Sequence, residues 1–346
     1  MTKKRKIIIS GFLMVLSIII LISFFQLRKP AFQRNFEVKY PELIPALLTP
    51  PPFNEYLIPD LEKTETIQTK TGKVEIGKKM VPQGLALVED WLILSAYSEE
   101  GKYHSVLYVL DQKTGEHVKT IVLPGTPHLG GLAYDPTAQN LWLTTETAED
   151  TAQLSALSVK QIAEDQFEKT KKPIRYQQEI PLFDLEKASF LAYHQSNLVV
   201  GHFTKKHEGT LVSYSLDKKG LPIQAKKSAP QKVRGGDTVK EVVEITKELQ
   251  GVTFFQDQIL FSQSYGDKPS KLLFAPNELK KDPLDFDEGD FIKKIAFPPY
   301  MEQIVVKDKQ LYVLFESNAT SYRSKKNAFP IDRVLVFNLE KLMKTD

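Results

Sequence analysis

The chain contains no cysteine. That absence excludes a disulfide framework, a thiol nucleophile and any thiolate metal site. It also lacks a basic excess outside its first residues. Lys3, Lys4, Arg5, Lys6, Arg28 and Lys29 account for six of the 46 Lys and Arg, leaving 40 against 43 acids, a net −3. The basic isoelectric point therefore belongs to the N-terminus, and nothing points to nucleic acid as a partner. No histidine pair has the close helical spacing of a zinc motif, so no metal site is expected.

What is present begins with one long apolar run. Ile7 to Leu27 is uncharged over 21 residues, enough to span a bilayer as a helix. The basic residues before it place residues 1–6 in the cytoplasm. A cleaved signal peptide is the rival reading, but no small-x-small site follows, so the sequence favours an uncleaved signal anchor. The expected topology is a single-pass cell-membrane protein, held by residues 7–27, with its globular part extracellular. Residues 28–65 carry seven prolines, including Pro50-Pro-Pro52, and read as a spacer.

Residues 66–346 read as repeats. Four runs, Gln83–Val88, Trp91–Tyr97, Ser105–Asp111 and His117–Leu123, are rich in β-branched and aromatic residues and separated by turn chemistry. The pattern recurs from Gly130-Gly-Leu-Ala133, Ser189-Phe-Leu-Ala192, Gln250-Gly-Val-Thr253 and Gln303-Ile-Val-Val306. Five copies of a four-strand unit predict an all-β fold, a five-bladed β-propeller preceded by one transmembrane helix. The last copy ends without a fourth strand. The expectation is that an N-terminal strand within residues 66–76 supplies it and closes the ring.

Propeller ligands sit where loops converge at the channel mouth. Sorting the chain by that rule selects Gln83, His128, His202, Gln250, Glu302 and Gln303 as candidate ligand-binding residues. The three glutamines start matching inner strands, and neutral amides donate and accept at once, which suits a peptide, a glycan or the polar surface of a cell-surface protein. The competing reading gives these amides to backbone groups of neighbouring strands. Tyr97, Glu146, Tyr265, Tyr300, Tyr322 and Arg323 fall on the same face, and Glu302, Glu146 and His128 are the candidates for acid–base roles. No cofactor is indicated. Ser215-Leu-Asp-Lys218 and Asp285-Phe-Asp-Glu-Gly-Asp290 match an acylating-serine and a calcium-loop pattern only superficially, because neither has the flanking helix its chemistry requires.

The repeat pattern resembles exported bacterial β-propellers with YVTN-like or SMP-30-like blades. Pro82-Gln-Gly-Leu85 and His128-Leu-Gly-Gly-Leu132 are similar to strand starts of the five-bladed glutamine cyclotransferases, which use Thr-Gln-Gly-Leu and Gly-Glu-Gly-Leu. That resemblance implies the fold. It also implies a missing catalytic group, because Gly130 stands where the family has its glutamate, and glycine moves no proton. The sequence thus leaves two functions: a membrane-anchored ligand-binding or interaction module, or a propeller hydrolase, lyase or transferase.

Overall fold

The computed structural model describes residues 31–48, 55–223, 239–277 and 285–345. The anchor at 7–27, the tail at 1–6, Pro50-Pro-Pro52 and the basic loop around Lys226 to Asp237 lie outside the described residues. No helix among the described residues is long and apolar enough to cross a membrane.

Five antiparallel sheets form the body of the protein. The innermost strands are Met80–Val88, Leu132–Asp135, Phe190–His194, Leu249–Phe255 and Met301–Lys307, and each packs beside the next, the last returning to the first. This is a closed five-bladed β-propeller. The second, third and fourth sheets complete themselves with the outer strands Gln178–Pro181, Val239–Ile245 and Lys293–Phe297. The second blade inserts a short helix, Val159–Glu164, before its outer strand. Ser158 caps it, accepting from the Gln161 amide while the Gln161 side chain reaches back to the Ser158 amide.

The hydrophobic cores lie between blades. Leu85, Leu92, Leu94 and Tyr108 of the first blade pack with Leu314, Val334 and Val336 of the fifth, while Leu107, Val109 and Ile121 pack with Leu132, Leu141 and Leu143 of the second. Phe297 and Phe337 meet edge to face at 5.3 Å between the fourth and fifth. Each blade is apolar on both faces, so it buries them only by stacking on two neighbours.

Ring closure differs from the expectation. Residues 66–76 do not join the fifth sheet. They belong to a separate hairpin of Thr64–Ile67 and Val74–Gly77, bridged through Gln68 to Tyr103. Tyr56–Leu57, within the segment expected to be spacer, is a strand that pairs with Arg333–Asn338. Tyr56 and Ile58 are buried in the core between the fifth and first blades, and the Tyr56 hydroxyl donates to the Gln112 carbonyl at 2.8 Å. The physical reason is anchoring: Tyr56 and Ile58 bring apolar surface to the fifth blade, whereas Glu75 and Ile76 remain exposed.

Residues 31–47 form a second compact unit with residues 340–345. Its helix Ala31–Lys39 buries Phe36, which stacks on Phe32 at 5.8 Å.

Candidate functional site

The register of each inner hairpin decides which side chains reach the channel mouth. In the first blade Leu85 pairs with Leu94 and Val88 with Trp91. Val252 with Phe261 and Phe255 with Gln258 are equivalent pairs in the fourth blade, and Ile304 with Val313 and Lys307 with Gln310 in the fifth. Gln250 therefore matches Gln83, as the sequence suggested. In the fifth blade the match is shifted by one: Glu302 stands where Gln83 stands, and Gln303 matches Gly84. A one-residue slip sends a side chain to the other side of a strand. All three strands carry a β-bulge at this point, where bulges commonly re-aim side chains.

Gln303 is consequently a buried cross-tie. Its Oε1 accepts from the amides of Leu85 and Leu132 at 2.8 and 2.9 Å, and its Nε2 donates to the carbonyls of Leu132 and Leu191 at 2.6 and 3.0 Å. One side chain of the fifth blade so binds the first, second and third. The room for it comes from glycine. A Cβ on Gly84 would meet Leu132 Cγ at 2.8 Å, and one on Gly131 would meet the Leu191 amide at 2.4 Å. For Gln303 the structure supports the backbone-binding alternative rather than a ligand contact.

The other end of the strand pair makes a second ring. Tyr97, Glu146, Phe203, Ser264 and Glu316 occupy equivalent positions, three residues beyond Leu94, Leu143, Val200, Phe261 and Val313. His202 falls one residue short of this ring and does not line the mouth cavity; Phe203 does.

The two rings enclose a cavity of about 490 Å³ lined by Gln83, Tyr97, His128, Gln250, Glu302 and Glu316, with Tyr300 and Tyr322 above them. Of the six residues singled out from sequence, Gln83, His128, Gln250 and Glu302 meet here. Glu316 was missed. The signal available was its equivalence to Tyr97 and Glu146, both of which the sequence placed on this face.

Glu302 and Glu316 form the chemical centre. Both are nearly excluded from solvent, at 2% and 9% exposure, and both line the same cavity. Burial pushes Glu302 well above the ordinary carboxyl range, reinforced by the neighbouring Glu316 charge. Burial also raises Glu316 to about 8, against the lowering effect of the hydrogen bond from Gln83. Two buried carboxyl groups that interact this strongly cannot both ionise cheaply, which favours a pair that retains a proton. Gln83 Nε2 donates to Glu316 Oε2 at 2.9 Å and to the Pro82 carbonyl at 3.1 Å. Gln250 Nε2 lies 3.5 Å from Glu302 Oε1. The amides orient the pair and mark Glu316 as the better acceptor.

Aromatic residues frame this centre. The Tyr97 and His128 rings lie 4.3 Å apart, and the Tyr300 and Tyr322 rings lie 4.9 Å apart. Burial first, then the nearby Glu316 charge, raises both Tyr97 and Tyr322. His128 is exposed at the cavity that it lines, though protein atoms crowd it closely. Burial lowers it to about 4, and the open surface moderates that loss of basicity, leaving it a neutral imidazole at neutral pH. Tyr300 holds a left-handed backbone, φ +67°, at the entry to the fifth inner strand, a conformation uncommon for a bulky residue. Lys205, 5.1 Å from the Tyr265 ring centroid, and Lys325 also line the cavity.

No family profile matches the chain, and no curated protein matches it. Among solved structures it is similar to a glutaminyl cyclase from Myxococcus xanthus, at 11% identity and TM-score 0.46 over 80% of this chain and 94% of that one. It is also similar to a putative oxidoreductase (glucose dehydrogenase) from Thermus thermophilus, at 14% identity and TM-score 0.42 over 82% and 96% of the two chains. A third is a periplasmic gluconolactonase from Pseudomonas aeruginosa, at 12% identity and TM-score 0.41 over 66% and 62%. These likenesses are ones of architecture, and they leave the YVTN-like, SMP-30-like and cyclotransferase resemblances as resemblances.

Proposed function

We propose that the protein is a membrane-anchored, extracytoplasmic propeller whose channel mouth takes a small polar ligand and carries out general acid–base chemistry on it. The observation that carries this reading is the solvent-shielded Glu302–Glu316 pair lining an open cavity. A buried acid pair is a burden to the fold, since apolar residues of similar volume are commonly as stable or more so. Strongly perturbed carboxyls in a cleft are the usual equipment of a proton-transfer site. Glu302, protonated, is the donor to a leaving group. Glu316, steered by Gln83, is the acceptor, and Gln250, Tyr97 and Tyr322 hold ligand hydroxyl or amide groups. The anchor rests on the apolar run Ile7 to Leu27 and the basic residues before it.

A second reading, a ligand-binding module without turnover, draws on the tyrosine and glutamine lining. Infrared spectroscopy at pH 7 and a turnover screen separate the two. The first reading expects a protonated-carboxyl band lost in Glu302→Gln, and turnover of at least one member of a panel of glycosides, lactones and N-terminal-glutamine peptides, lost in the same variant. A band unchanged by Glu302→Gln would refute the retained proton. Ligand binding without turnover, unchanged in Glu302→Gln, would establish the binding module.

A further inference from the structure

We infer that the mouth continues between the first and second blades into a second compartment, one that binds a primary ammonium group on the ligand. This deepens the reading of the mouth as a ligand site and rests on it. A cavity of about 550 Å³ is lined there by Thr145, Glu146, Gln153, Tyr176 and Glu179. It shares Tyr97 and His128 with the mouth cavity, so this ring pair is the wall between the two.

Its charge is of one sign. No Lys or Arg lines it. Asp150 is engaged by Lys187 and Glu99 by the Ser321 hydroxyl, but neither Glu146 nor Glu179 has an ion-pair partner among the described residues. Burial raises the Glu146 carboxyl, opposed by the His128 backbone amide that donates to it and by the Lys187 charge. A carboxylate held half-shielded without a cation gains most from one supplied by a ligand. An independent observation points the same way. The Tyr176 hydroxyl on this wall is withdrawn from solvent and has no hydrogen-bond partner among the described residues. Buried hydroxyls are rarely left so, and an ammonium group brings the donor it lacks.

The mouth cavity has the opposite bias. Lys205 and Lys325 line it without an ion-pair partner among the described residues, two cations against the single charge of a Glu302–Glu316 pair that retains a proton. An ammonium group is turned away from the mouth and accepted next door, which fixes the direction in which an elongated ligand lies. Amino-sugar chains and peptide N-termini share this chemistry.

Calorimetric titration of the full-length protein in detergent distinguishes these sources and tests the site. The probes are chitosan trisaccharide against its fully N-acetylated form, and tetraglycine against N-acetyl-tetraglycine. The free amine of at least one pair should bind ten-fold or more tighter than its acetylated partner, and whichever pair discriminates identifies the source. Glu146→Gln should abolish the discrimination. Glu179→Gln, on an exposed edge strand, should reduce it severalfold and repeats the test should Glu146→Gln not fold. Equal binding of amine and acetylated forms, no binding of any probe, or discrimination unchanged in both variants would overturn the inference. Failure of the acid–base reading is separate: it shows in the infrared band of Glu302, which these outcomes do not touch.

Discussion

The inner strands of the first and fifth blades, Met80–Val88 and Met301–Lys307, begin with what look like the same residue, yet Gln83 and Gln303 do different things. Gln83 reaches the wet mouth and turns one N–H toward Glu316. Gln303 sits deeper and spends its whole amide on backbone groups of three other blades. A single residue of register separates the two, and the residue it moves into Gln83's place is an acid. Position in the hairpin, counted from the turn, assigns the role; residue type does not.

The sharpest way to break this comparison is to truncate both side chains. Gln303→Ala leaves backbone groups of Leu85, Leu132 and Leu191 unpartnered in the interior. It should cost about 3 kcal/mol or more by chemical denaturation, whereas Gln83→Ala, whose partners can turn to cavity water, should cost about 1 kcal/mol. Equal losses would show that both are structural.

Closure gives the next largest effect. A chain starting at Leu61 loses Tyr56, Ile58 and the strand paired with Arg333–Asn338, and should be about 2–5 kcal/mol less stable than one starting at Glu55. Comparable melting of the two truncations would return the closing role to residues 66–76.

The acids sharpen the comparison through pH. Glu302 and Glu316 titrate higher in the folded chain than in the unfolded one, so the folded protein binds extra protons between the ordinary range near 4.5 and about 8. Stability should therefore fall as pH rises through that window, by up to about 1.4 kcal/mol per pH unit for each extra proton bound, and Glu302→Gln should flatten the slope. His128 works in reverse: its folded pKa is depressed from 6.5 to about 4, so it removes stability as pH falls through that interval. His128→Gln should flatten the acid limb in denaturation profiles measured from pH 4 to 9. A slope insensitive to Glu302→Gln would mean that the pair ionises normally.

The smallest effect concerns the third blade. His202→Ala should leave ligand binding at the mouth within about two-fold, while Phe203→Ala, in the ring position, should weaken it several-fold by removing an aromatic wall. The reverse order would overturn the register assigned to that blade.

Much of the site was within reach of the sequence. Gln83 and Gln250 follow from aligning strand starts, because four of the five hairpins keep one spacing to their turn, and His128 and Glu302 follow from sorting loops onto the mouth face. Glu316 was legible too, as the end of a second strand whose equivalents Tyr97 and Glu146 had been noticed. It was passed over because one acid in a loop-rich stretch carries no signal of burial until a partner is known.

The sequence by itself determined the architecture. Alternating strands with turn residues between them, repeated five times, can bury their faces only around an axis, and that requirement is local enough to be read from pattern. The tertiary structure alone decided three matters: which N-terminal segment closes the ring, which glutamine faces inward, and that Glu302 and Glu316 are buried together at the mouth. Each depends on atoms brought together from distant parts of the chain, where a register step of one residue or a few ångströms of burial changes the chemistry while the residue types stay the same.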